Sequence, residues 1–430
     1  MKQLIIVFFF LLNTALFAQI KLIKKENSDS NTTLLVIGGI HGNEPGGYFA
    51  PAILAEHYKI LSKNVWIIPN LNEASIIANK RGIHGDMNRK FAAIDKNDKD
   101  KEIVDEIKKI ILSKKVSLIL NLHDGHGFYR EKEENRIYNP KAWGQTCVID
   151  QCKLYKNNQF GELNDIALQV KESVNKELLH QHHIFNVKNT QTQYKDKEMQ
   201  LSLTYFAVKH NKPAFAIETS KSLPTLSQKV FYQLRAIEGF MKVMHIKYSR
   251  DFNLTQDNIE KIIKNYGTLE INHNILLNLN NIKKSLSFIP LKSKSNEFNF
   301  SHPLGFVKKN RLGTYDIYIG NKKITSLSPQ YFKMSHNCPD LYRVEADGKS
   351  VSLPKASKFQ ISDDFKVVKG KNIRVNVIGY YSKNAKDESG ISISRKDLGT
   401  RYAVDRANTT YRIEFYDNNG FCSMLMVKFK

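Results

Sequence analysis

Thr33-Leu34-Leu35-Val36-Ile37-Gly38-Gly39-Ile40-His41-Gly42-Asn43-Glu44-Pro45 is the stretch on which the fold turns. Its first half is a short, unbroken apolar run of the kind that forms a strand buried on both faces of a parallel sheet. Its second half is a glycine-rich turn that presents His41 and Glu44, three residues apart, at the strand's carboxyl end. Both are good ligands for zinc. His-x-x-Glu alone is common, but a preceding strand and surrounding glycines make this instance a candidate metal site.

Working outward, three more apolar runs follow: Val65 to Pro69, Val116 to Leu122 and Pro213 to Ile217. Between them lie helical patterns, with Ile103, Val104, Ile107, Ile110 and Ile111 at helical spacing and a second amphipathic stretch from Leu226 to Met244. Strands separated by helices predict an α/β fold with a mostly parallel sheet flanked by helices, and such sheets bind ligands at the carboxyl ends of their strands. His123 closes the Val116 to Leu122 run, so adjacent strand ends can bring His41, Glu44 and His123 together. Two His and one Glu with an open fourth position is the pattern of catalytic zinc. Glu218 follows the run Pro213 to Ile217 and is the candidate general base. In the glycine-marked segment Arg81 to Phe91, Arg81 can face an oxygen that gains charge, and Asn88 with Arg89 offers a planar donor fork for a carboxylate.

The flanks carry the address. Lys2 followed by the apolar run Leu4 to Phe17 has the form of a secretory signal, cleaved after Ala18 or retained as an anchor. No later stretch is apolar and long enough to span a membrane, so the mature chain is expected to have no transmembrane segment and to work in the periplasm. The 430 residues carry a formal charge of +23 with 41% hydrophobic residues, which excludes a disordered chain and favours polyanionic surroundings. Export makes nucleic acid a poor partner. It also permits disulfides, and the four cysteines pair as Cys147 with Cys152 and Cys338 with Cys422 or remain free thiols. Beyond Arg250 the chain changes to short β-type stretches between Asn, Gly, Lys and Ser clusters, the rhythm of β-sandwiches. The expected organisation is a leader over 1–18, an α/β domain over 19–249, and two small all-β sandwich modules over 250–336 and 337–430.

His41-x-x-Glu44, Arg81, Asn88-Arg89, His123 and Glu218 stand in an order that resembles the zinc metallocarboxypeptidases of the carboxypeptidase A type, whose compact branch includes succinylglutamate desuccinylase and aspartoacylase. The resemblance covers roughly Thr33 to Met244. It implies a mixed eight-stranded sheet, one Zn2+ per chain on His41, Glu44 and His123, oxyanion support from Arg81, a terminal-carboxylate pocket at Asn88 and Arg89, and Glu218 as base. The family's substrate-facing tyrosine has two candidates, Tyr205 and Tyr194, with Tyr205 favoured. Trp143 and Thr204 are candidate substrate contacts. His126 is either support for the metal site or plain loop, and His180, His182 and His183 are expected to be exposed at a helix end. Export, basic charge and appended β-modules make the chain look more narrowly like the muramyl-tripeptide carboxypeptidases that set helical cell shape in Campylobacter- and Helicobacter-type bacteria. That implies peptidoglycan muramyl peptides as partners, removal of the terminal diaminopimelate, and cell-shape proteins as further partners through the β-modules. The competing expectations are an N-acyl amino acid deacylase and a non-catalytic wall-binding scaffold.

Overall fold

The computed structural model describes residues 20–27, 30–383 and 385–430. The leader expected over 1–18 lies outside the described residues. Among those described, no helix is long and apolar enough to cross a membrane.

The first half builds one seven-stranded sheet in the order Ile23–Lys25, Asn64–Ile68, Thr33–Ile37, Val116–Gly125, Ala214–Ser220, Thr146–Ile149, Asn186–Asn189. The four central strands run parallel. Ile23–Lys25 and Thr146–Ile149 are antiparallel to their inner neighbours, so the sheet is mixed. It has one strand fewer than the eight the resemblance implies. Every residue of Thr33–Ile37 and Asn64–Ile68 is buried, as continuous apolar strands covered on both faces must be. The helices Pro45–His57, Leu163–Asn175 and Leu226–Val243 pack together, and Lys101–Ile111 and Leu203–Lys209 also pack on the sheet.

Two glycines explain why the turn after the first parallel strand needs its sequence. Gly39 has φ +73°, a left-handed conformation that glycine adopts without strain. A Cβ on Gly42 would lie 1.9 Å from the Ser75 carbonyl oxygen, so no larger residue fits.

Two elements differ from expectation in a way that matters for the site. The strand foreseen to end at Leu122 continues through Gly125, and the one foreseen to end at Ile217 continues through Ser220. His123 and Glu218 are therefore strand residues, directly paired across the parallel ladder. The helix Gln256–Ile263, assigned from sequence to the first β-module, packs instead on Leu226–Val243 and buries Ile259 in the α/β core.

The β-rich remainder has two cores. A three-stranded sheet (Ile275–Asn278, Thr268–Ile271, Phe298–Phe300) and a four-stranded one (Ser285–Leu291, Lys322–Tyr331, Tyr315–Ile319, Gly305–Lys309) enclose the first. Two four-stranded sheets enclose the second. The last strand, Gly420–Phe429, serves both: Phe421, Met424 and Met426 enter the first core, and Leu425, Val427 and Phe429 the second. Cys338 and Cys422 form a disulfide that ties residues 84 apart. The pairing of Cys147 with Cys152 is not made: Cys147 is buried on the strand Thr146–Ile149, where burial pushes its thiol up, while Cys152 is exposed.

Candidate active site

Glu44 is the N-cap of the helix Pro45–His57, yet its side chain caps none of the helix's own amides. Pro45 in the first turn has no amide hydrogen to satisfy. The carboxylate is thus free to face the crevice, where its Oε2 lies 3.0 Å from His41 Nδ1 and 2.9 Å from His123 Nδ1. The two Nδ1 atoms stand 3.2 Å apart, and all three residues are buried.

Hydrogen bonds can serve the two contacts to Glu44 Oε2, but with both rings donating there the two Nδ1 atoms are left facing each other, whereas one central cation serves all three contacts. Ligand atoms about 2.0–2.2 Å from a four-coordinate ion would stand about 3.3 Å apart, close to the separations seen. His41, Glu44 and His123 therefore fit a metal ion, and among the described residues they form one three-ligand cluster whose atoms lie within 4.8 Å of one another.

The surroundings fix these ligands in place. His41 Nε2 contacts Asp86 Oδ1 at 2.8 Å, the carboxylate–histidine arrangement that orients a metal-binding ring. Burial alone would raise Asp86, but hydrogen bonds and charge from His41 and Arg81 hold its carboxyl well below the usual carboxylate range. Asp86 also caps the short helix Met87–Arg89 by accepting from the Asn88 amide at 2.9 Å. Gln233, from the helix Leu226–Val243, donates to the His123 carbonyl at 2.6 Å. Next to the ligand, Asp124 accepts from the Gly46 amide at 2.8 Å and from Thr219 Oγ1 at 2.5 Å. Burial, with the charge of Glu44, pushes Asp124 up to about 6.

A cavity of about 320 Å³ opens over this cluster and gathers most of the residues expected from sequence. Arg81 reaches Glu44 Oε1 at 3.2 Å and Asp86 Oδ2 at 2.8 Å and keeps its side chain 45% exposed. Asn88 and Arg89 line the same cavity; Asn88 Oδ1 accepts from the Leu203 amide at 3.0 Å, and Arg89 Nη1 donates to the Asn88 carbonyl at 3.2 Å. Glu218 faces it too, and burial, then the charges of Glu44 and Asp124, push its carboxyl well above the usual range. Trp143 and Thr204 are on the wall. Behind Trp143, Lys188 Nζ sits 4.3 Å from the ring centre and donates to the carbonyls of Pro140 and Ala142 at 3.0 and 2.8 Å.

Some expectations do not survive. Tyr205 is buried on the helix Leu203–Lys209 and does not line the cavity, because it is Thr204 that this helix turns toward it. Tyr194, 79% exposed, does not line it either. His126 does line it. His180 and His182 are exposed, but His183 is buried, with Nδ1 2.9 Å from the Tyr232 hydroxyl and its pKa lowered to about 4 by burial and its two histidine neighbours.

Four charged cavity residues were not foreseen: Asp124, Asp196, Glu198 and Lys221. Lys221 Nζ lies 3.2 Å from Glu44 Oε1, and its amide donates to the Gly125 carbonyl at 2.7 Å, which pins the turn after the Glu218 strand. Its position three residues after Glu218 was a usable signal. Asp196 and Glu198 sit in a charged segment that reads as ordinary surface loop, yet Glu198 Oε2 comes to 4.0 Å from Arg89 Nε.

A buried His-Glu-His cluster, a shielded carboxyl across the ladder and two guanidiniums in one crevice is the equipment of a metal-dependent hydrolase that holds an anionic chain end. The profile of the family described as "carboxypeptidase controlling helical cell shape", catalytic part, matches residues 1–264. The chain belongs to this family. It is a metallocarboxypeptidase, and the profile of the "C-terminal domain of metallo-carboxypeptidase" matches residues 335–430.

Among solved structures, the apo form of cell shape determinant protein Csd4 from Helicobacter pylori is 35% identical, covering 96% of this chain and 100% of that one at a TM-score of 0.88. The tripeptide-bound form gives the same figures: 35%, 96%, 100% and 0.88. The mDAP-bound form, described as a D,L-carboxypeptidase, is 36% identical over 95% of this chain and 100% of that one, with a TM-score of 0.88. No curated protein sequence matches the chain. The likeness runs through the β-rich region as well as the catalytic domain, so this metallocarboxypeptidase shares its whole architecture with those structures.

Proposed function

We propose that the chain is a periplasmic zinc carboxypeptidase that trims peptidoglycan muramyl tripeptide to dipeptide by releasing the terminal diaminopimelate, and so influences cell shape. The observation that carries this is the crevice itself: His41, Glu44 and His123 converge beside Glu218, with Arg89 and Asn88 in the same 320 Å³ cavity to receive a chain-end carboxylate. Csd4 binds a tripeptide and mDAP in structures that superpose on nearly the whole chain. A Zn2+ on the three ligands would act as a Lewis acid that polarises the scissile carbonyl and acidifies water.

The residues then divide the work. Arg89, with the Asn88 amide group, holds the terminal carboxylate in a planar fork and sets which bond lies over the cluster. Glu218 takes a proton from the attacking water and returns it to the departing amine, a task suited to a carboxyl whose proton affinity is raised. Arg81 faces the oxygen that becomes negative. Trp143 and Thr204 form the wall against which the terminal residue lies. The deacylase and scaffold alternatives lose their ground, since the family is one of carboxypeptidases.

Incubation of the purified, zinc-loaded protein with muramyl tripeptide is expected to yield dipeptide and free diaminopimelate by mass spectrometry. Absence of dipeptide, or undiminished turnover by Glu218→Gln, would reject the reading. Elemental analysis should find one zinc per chain, lost in His41→Ala or His123→Ala.

A further inference from the structure

Outside the catalytic crevice, a groove of about 1070 Å³ runs between the two β-modules, at the upper end of the range of ligand pockets. Its floor is a buried polar pair on the strand Thr410–Asp417. Arg412, 5% exposed, donates through Nη1 and Nη2 to the carbonyls of Phe288 and Ser287 at 3.3 and 3.2 Å. Glu414, 2% exposed, accepts from the Tyr416 hydroxyl at 2.7 Å through Oε2. Its Oε1 is buried and makes no hydrogen bond, with Arg412 Nη1 3.7 Å away.

Ser287 and Phe288 form a bulge in the strand Ser285–Leu291, where the register against Lys322–Tyr331 shifts. Phe288 has φ +58°, a conformation that bulky side chains rarely adopt, and its ring is 65% exposed. A buried guanidinium thus clamps a strained backbone so that an aromatic ring stands in solvent at the groove's lip. Folding gains nothing from that exposure, and strain of this kind collects at binding sites. Two more exposed rings, Tyr381 and Tyr402, border the same groove. Exposed cations, Lys284, Arg374 and Arg401, line the same groove; Arg374 lies 4.5 Å from the Tyr416 ring centre and Arg401 4.6 Å from that of Tyr402.

We propose that this groove binds an anionic glycopeptide strand of the wall, with sugar rings laid on Phe288, Tyr381 and Tyr402 and stem-peptide carboxylates held by Lys284, Arg374 and Arg401. Pyranose C–H faces stack on aromatic rings, and free guanidiniums take carboxylates in a planar fork. Exposed rings and exposed cations in one groove match a glycan that carries acidic peptide branches. The proposal rests on the reading of the catalytic domain as an enzyme of wall peptides. It adds a second, non-catalytic hold that keeps the enzyme on the polymer while the crevice samples peptide ends.

Cosedimentation of the full-length protein with purified insoluble sacculi tests it, alongside turnover of soluble muramyl tripeptide. Phe288→Gly, and separately Arg374→Glu with Arg401→Glu, should each lose roughly tenfold or more of sacculus binding with unchanged kcat/KM on the soluble tripeptide. Phe288→Gly should also melt no lower than the parent, because glycine accepts φ +58° without strain. Unchanged sacculus binding in both variants, or no binding by the parent, overturns the proposal. So does a single-stranded oligonucleotide that outcompetes sacculi and depends on the same residues, since the groove would then be a nucleic-acid site. If the variants lose binding while the parent fails to cleave tripeptide, the groove stands and the catalytic reading falls.

Discussion

The catalytic crevice and the inter-module groove solve opposite problems with different parts of the chain. In the crevice, His123 and Glu218 are paired across two parallel strands in the middle of a sheet, and Glu44 stands at the N-cap position of a helix, its carboxylate turned into the crevice. Gln233 donates to the His123 carbonyl, and Thr219 and Gly46 donate to the neighbouring Asp124, which holds this strand end in place. In the groove, the exposed side chains stand on a bulge, a strand end, a single helical turn and loops, and one buried arginine fixes the bulge. Bond cleavage needs reacting groups held closely in register, which only a rigid scaffold supplies. Retention on a variable polymer tolerates looser presentation, and loops suffice.

The sharpest way to break this contrast is Glu218→Gln. General acid–base groups contribute roughly 10²–10⁴-fold, so turnover of soluble tripeptide should fall by about that factor while sacculus binding stays at the parent level. A loss of both would mean that the two regions are not independent.

Removal of the disulfide comes next. Closing a loop across residues 84 apart is worth about 4.5 kcal/mol on the chain-entropy account. Cys338→Ala with Cys422→Ala should therefore lower the calorimetric transition of the β-rich region and leave kcat on soluble peptide untouched. A shift confined to the catalytic transition would contradict the structural division.

Gly42→Ala is expected to be smaller in stability but sharper in function. The added methyl would meet the Ser75 carbonyl at 1.9 Å, and overpacking of this kind costs roughly 1–3 kcal/mol. The loop that carries His41 must shift to relieve it, so metal affinity measured by competition with a chelator should drop as well.

The mildest effect tests the seam where the first β-module meets the catalytic domain. His302, buried 6.4 Å from the Phe49 ring, has its pKa lowered to about 4 by burial and the charges of Lys21 and His57. Its folded value lies below its unfolded one of about 6.5, so its stabilisation is complete above that value and is lost as pH falls toward 4. His302→Asn, which keeps an acceptor for the Leu304 amide, should flatten this acid limb by on the order of 1 kcal/mol in pH-dependent thermal melts.

Most of the crevice was legible in the sequence because its residues sit on strong local signals. The turn from Gly38 to Gly47 announces itself by glycines, and the apolar run from Val116 points at His123. The ends of strands were less legible. His123-Asp124-Gly125 reads as loop because polar residues rarely continue a buried strand, yet here the ladder and partners such as Thr219 satisfy them. Cys147 and Cys152 look paired because they share a domain, but Cys147 is buried within a strand and Cys152 lies beyond its end, in solvent. Tyr205 was favoured and does not line the cavity, since which face of the short helix Leu203–Lys209 looks into the crevice depends on packing against distant strands. The groove was invisible from sequence altogether: a phenylalanine at positive φ and a buried Arg–Glu pair leave no pattern to read.

The final strand sends alternate side chains into both β-cores, and this constrains how the protein comes to be made. Neither module can close around its interior until residues 420–429 have arrived, so the two cannot mature one after the other as the chain emerges. A truncation before Gly420 would strip side chains from both cores at once, so a single lesion there would reach two modules together.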